Sequence, residues 1–110
     1  IIKLVSVPSG MTQTLIGLPV SRLRSPVLLL RDQTLFIGLG HDLMLFDIKQ
    51  LVLRQYIRNF ISAPFQDNGS GLDTNVIRRL IIDRRRLIAL TFYGENSRIV
   101  SLSNLAANDR

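Results

Sequence analysis

Two stretches of this chain spell the same pattern at a fixed offset. Leu28-Leu29-Leu30-Arg31-Asp32-Gln33-Thr34-Leu35-Phe36-Ile37-Gly38 lines up with Leu80-Ile81-Ile82-Asp83-Arg84-Arg85-Arg86-Leu87-Ile88-Ala89-Leu90, 52 residues further on. Each stretch is an apolar run, a polar turn and a second apolar run. Short apolar runs bounded by polar turns fit buried strands better than helices. Val, Ile, Leu and Phe supply the side chains that a pleated, buried surface favours. A recurring unit of this kind constrains the whole fold, because stacked neighbours must share one core.

The repeat extends beyond this pair. Ile2-Lys3-Leu4-Val5-Ser6-Val7, Leu43-Met44-Leu45-Phe46-Asp47-Ile48 and Ile99-Val100-Ser101-Leu102 are each short β-rich runs that end in a polar turn. One unit therefore reads as four strands. In the middle copy these are expected at residues 27–30, 34–38, 43–48 and 51–56. In the last copy they are expected at 76–82, 86–92 and 98–102, with the chain ending about where a fourth strand should begin. The first copy holds only two, at 1–7 and 11–15. Between the second and third units lies Ser62-Ala63-Pro64-Phe65-Gln66-Asp67-Asn68-Gly69-Ser70-Gly71, which reads as an exposed inserted loop.

A period near 40 to 45 residues, with four short antiparallel strands per unit, resembles the blades of WD40-type β-propellers. Leu45-Phe46-Asp47-Ile48 stands where that family has its Trp-Asp dipeptide, with Phe46 for the Trp and Asp47 kept. Gly17-Leu18 stands at the usual Gly-His, and Val100-Ser101 replaces Trp-Asp in the last copy, so the family's His–Ser–Trp–Asp network is not expected here. The resemblance implies an all-β chain of antiparallel four-stranded blades, incomplete at about two and a half. The end of one blade falls at 1–17, a full blade at 20–57, an inserted loop at 58–75 and the start of a further blade at 76–110. A propeller closes with roughly four to eight blades. The remaining blades are expected in a longer chain or in partner copies, and the first residue, Ile1, suggests a processed or excised piece.

Charge points to a partner. Lys and Arg number 14 against 8 acidic residues, giving +6. Twelve of the basic residues are Arg and only Lys3 and Lys49 are Lys. Arg favours bidentate contacts with carboxylates and phosphates, so an acidic protein surface or nucleic acid is expected. Arg84-Arg85-Arg86 falls in a hairpin turn equivalent to the Arg31 turn, and the two turns should share one face. Arg78-Arg79 lies one strand earlier, and Arg22 and Arg24 precede the first full strand. Arg31, Arg78, Arg79, Arg84, Arg85 and Arg86 are the candidate partner-binding residues. Few aromatics interleave with them, which favours an acidic protein over RNA.

Catalytic, cofactor-binding and metal sites are not expected. Cysteine is absent, and the lone histidine, His41, excludes a multi-His cluster. Asp42, Asp47, Asp73 and Asp83 are spaced carboxylates, and Asp47 is expected to accept hydrogen bonds from turn amides. No Gly-x-Ser-x-Gly elbow surrounds Ser9, Ser25, Ser70 or Ser101. Gly38-Leu39-Gly40 lacks the third glycine of a phosphate loop. Phe65, apolar in a polar loop, is either a partner anchor or a side chain folded back on the blade beneath. No apolar run is long enough to span a membrane as a helix. The resemblance implies a non-enzymatic scaffold in an intracellular assembly, cytoplasmic or nuclear. The alternative is an RNA-associated propeller of the ribosome-assembly type.

Overall fold

The computed structural model describes residues 2–5, 12–16, 26–67, 69 and 71–107. They are mostly β. A hairpin pairs β1 (Ile2–Val5) with β2 (Thr12–Ile16). Next comes a four-stranded antiparallel meander: β3 (Val27–Arg31), β4 (Thr34–Leu39), β5 (Asp42–Asp47) and β6 (Val52–Ile57). A three-stranded meander succeeds it: β7 (Arg79–Asp83), β8 (Arg86–Leu90) and β9 (Arg98–Ser101). It leads into a short helix, α1 (Leu102–Ala107). These residues form antiparallel sheets and no closed ring. Pro8, Ser9, Gly10, Gly17, Leu18, Arg22, Arg24, Ser25 and Ser70 lie outside the described residues.

β7 and β8 begin 52 residues after β3 and β4, the offset at which the two sequence stretches align. The turns match as well. Both hairpins close with two residues, and the first of each has left-handed backbone, Asp32 at φ 56° and Arg84 at φ 58°. Beyond them the same ladder bond recurs, Ile48 N to Gln33 O at 2.9 Å and Leu102 N to Arg85 O at 2.8 Å. The β4–β5 loop, Gly40-His41, likewise opens on a left-handed residue, here a glycine at φ 62°.

The central strands of the first meander are buried on both faces. Phe36, Leu43, Leu45 and Ile57 join a core shared with Leu80, Leu87, Ala89 and Val100 of the second meander. Leu35, Ile37, Leu39, Met44 and Phe46 form a separate cluster on the opposite face. Each fully buried Leu or Ile contributes about 1.5–3 kcal/mol. Glycine is required where the two units approach: a Cβ on Gly38 would sit 2.8 Å from Ile77 Cγ2.

The last unit departs from expectation. Its strands start later or end sooner than 76–82, 86–92 and 98–102. In place of a fourth strand the chain turns into α1. Ser101 occupies the position of Asp47, and each side chain caps the segment after it. Asp47 Oδ1 accepts from the amides of Lys49 and Gln50, as its turn position predicts, and the chain then runs back as β6. Ser101 Oγ accepts from the Asn104 amide, a helix cap, and Leu105 is buried behind it.

Candidate functional site

The basic hairpin tips are the candidate site. A cavity of about 210 Å³ shows where they lie relative to each other. Arg31, Asp32 and Thr34 of the first tip line it together with Leu102 and Leu105 of α1. Leu102 donates its amide to Arg85 O in the second tip. Both tips therefore sit at one end of the two meanders. Arg31, Arg84, Arg85 and Arg86 gather there, all exposed. Two carboxylates accompany them. Asp83 Oδ2 accepts from Arg86 Nη2 at 3.2 Å, and Asp32 lies 4.0 Å from Arg31 Nε. Arg84 and Arg85 have no ion-pair partner among the described residues. The left-handed turn residue exposes Arg84 at the loop apex.

Arg78 and Arg79 belong to another end. They stand at the start of β7, and a strand rising about 3.3 Å per residue carries the chain some 13 Å from there to Asp83. The Arg78 guanidinium lies 5.2 Å from the centre of the Phe92 ring, which in turn meets Tyr93 edge-on. Phe65 is 64% exposed, so it does not fold back onto the sheet beneath. The exposed aromatics Phe92 and Tyr93 come after the far end of β8, away from the arginine tips.

A second constellation escapes sequence reasoning. His41 Nε2 and Asp73 Oδ2 are 2.6 Å apart, and His41 Nδ1 donates to Ile61 O at 2.9 Å. Asp73 Oδ1 accepts from the amides of Gln66 and Asn75. Burial pushes the Asp73 carboxyl up, but the His41 hydrogen bond and those two amides outweigh it and hold the group below its ordinary range. Both ring nitrogens of His41 are thus engaged within the fold. The pair works as a latch. The Ile61 and Ile77 amides donate to His41 O and Gly40 O, so the segment joining the two meanders closes around the β4–β5 loop. Both residues were legible as polar loop positions, but their pairing across 32 residues left no periodic trace.

The other carboxylates serve the fold. Asp42 accepts from the Tyr56 hydroxyl and the Asn59 amide. The amide of Gln50, then the Arg54 side chain and the Lys49 amide, hold the Asp47 carboxyl below its ordinary range. Among the described residues no three His, Asp or Glu side chains converge as a metal set. No helix among them is long and apolar enough to cross a membrane. No family model, no curated protein and no solved structure matches this chain.

Proposed function

We propose that the chain is a non-enzymatic interaction module whose arginine-tipped end receives an acidic protein surface. In this reading the two meanders are blades of a WD40-like propeller subunit that docks other proteins in an intracellular assembly, cytoplasmic or nuclear. One observation carries the proposal. Two equivalent hairpin tips share an end and bring together Arg31, Arg84, Arg85 and Arg86 against, among the described residues, Asp32 and Asp83. Guanidinium groups in that density suit carboxylates held on a protein surface. The RNA alternative is weaker because Phe92 and Tyr93, which would stack bases, lie beyond the opposite end of β8.

The test uses a fluorescent Asp/Glu-rich peptide and a single-stranded RNA of equal length, each titrated over a salt series. The acidic peptide is expected to bind more tightly than the RNA. Arg84→Ala with Arg85→Ala should weaken it roughly 10-fold, at about 0.5–1 kcal/mol per exposed charge. Unchanged peptide binding in that variant would sink the role given to the tips. Tighter RNA binding, with a salt slope that falls in the same variant, would favour the RNA alternative.

A further inference from the structure

The cavity at the basic end is apolar inside and charged only at its rim. Its floor is made by Phe36 and Leu45 of the first meander and Leu105 of α1, all three buried. Leu102 and Thr34, both half-buried, form its walls. Arg31 and Asp32 stand at the rim, with side chains 51% and 91% exposed. The packing explains the hollow. Strand register sets Phe36 directly opposite Leu45. The last unit offers them only the two leucines of a six-residue helix, Leu102 and Leu105.

The size of the hollow selects what fits. Its volume is about 210 Å³. Clefts for drug-sized ligands run from about 300 to 1,000 Å³, whereas a dry cavity of roughly 150 Å³ lined by Leu, Ile and Phe takes a benzene ring. The space therefore suits one aromatic side chain. A ring seated on this floor lies beside the Arg31 guanidinium, which favours the face of a ring as well as a carboxylate. Arg31 meets Asp32 through Nε at 4.0 Å, so its terminal nitrogens can serve a carboxylate next to the ring. The second tip is close as well. The Leu102 amide in the pocket wall donates to Arg85 O at 2.8 Å. An apolar hollow and two arginine tips thus lie within reach of one short peptide, at about 3.3 Å per extended residue.

We infer that this cavity is an anchor pocket for a single phenylalanine carried in an acidic segment of the partner protein. The inference rests on the basic-end reading and narrows its partner: acidic residues without a central aromatic leave the site half filled. Charge complementarity sets the flanks. Carboxylates beside the ring face Arg31 and the second tip, and Asp32 repels acid from its own part of the rim. A buried aromatic anchor ringed by charged contacts is the arrangement that concentrates binding energy in an interface.

The experiment compares two fluorescent peptides of equal length and equal Asp/Glu content, one with a central Phe and one with Ser in its place. The Phe peptide is expected to bind roughly 10-fold more tightly, from burial of one ring. Raising salt should weaken both peptides while their ratio persists, because screening acts on charge and not on apolar contact. Thr34→Leu, which fills the pocket from its wall, should bring the ratio to about one. Arg84→Ala with Arg85→Ala should weaken both peptides alike and keep the ratio. Methyl resonances of Leu45, Leu102 and Leu105 should shift with the Phe peptide and stay in place with the Ser peptide. Equal affinities that still fall in the double arginine variant would overturn the pocket and leave the basic end standing. Shifts confined to Phe65, Phe92 and Tyr93, or a ratio that survives Thr34→Leu, would overturn it as well. Binding of neither peptide would sink the basic-end reading and the anchor with it.

Discussion

Single positions carry much of what is specific here. Arg84 holds φ 58°, a region that costs a side chain with a Cβ about 1–2 kcal/mol. Arg84→Gly is therefore expected to stabilise the chain by about 1 kcal/mol in denaturant unfolding while weakening acidic-peptide binding. A variant that loses both stability and binding would show that the arginine packs instead of reaching outward. Gly38 is the opposite case. Its φ is ordinary, and the constraint is space: Ile77 Cγ2 and Cβ lie 2.8 and 3.2 Å from where a Cβ would be. Gly38→Ala should cost about 1–3 kcal/mol, and Ile77→Ala in the same chain should recover part of it in a double-mutant cycle. Asp73 sets a pH dependence. Its folded-state pKa is depressed, so its stabilisation is fully present above the ordinary value of 3.8 and is lost as pH falls below that value. Thermal midpoints taken between pH 5 and 2 should fall less steeply for Asp73→Asn than for the parent, and parallel curves would remove the latch from the stability account. The Arg84 turn was legible in the sequence as a polar tripeptide between apolar runs. The Asp73 pairing was not, because nothing local distinguishes it from any other loop aspartate.

At the level of elements, the contrast between β6 and α1 is the most informative. Asp47 and Ser101 hold equivalent places, and each caps the segment after it. After Asp47 the chain reads Ile48-Lys49-Gln50-Leu51, turns with Leu51 at φ 58°, and pairs back onto β5. After Ser101 it reads Leu102-Ser103-Asn104-Leu105-Ala106-Ala107, with leucines three apart and good helix formers at its end. Leu105 is then buried, and Gln55 of β6 donates to its carbonyl, tying α1 to the first meander. Ser101→Ala should cost about 0.5–2 kcal/mol and speed amide exchange in α1 while sparing β7 and β8. Uniform loss across the second meander would show instead that Ser101 holds β9. The repeat gave no helix here, because it set the end of the chain about where a fourth strand should begin. Six residues are too few for helical periodicity to announce itself against that expectation.

For the whole molecule, packing decides which ends and faces are left open. One end collects arginines from two units beside an apolar pocket. The sequence by itself placed the strands of both meanders to within a few residues, together with the two matching hairpins and the predominantly β class. Those features arise from patterns only a few residues long, and the alternation of apolar run and polar turn records them directly. Asp47 as a turn cap belongs with them, since its partners are two and three residues away. Only the tertiary structure decided that Arg31 shares an end with Arg84–Arg86 while Arg78 and Arg79 do not, that His41 meets Asp73, and that α1 leaves an apolar pocket beside the first tip. Each of these depends on how two meanders pack, and packing joins residues whose separation along the chain leaves no local signature. Composition fixed that there would be many arginines, whereas the direction in which each strand runs fixed where their charge is presented.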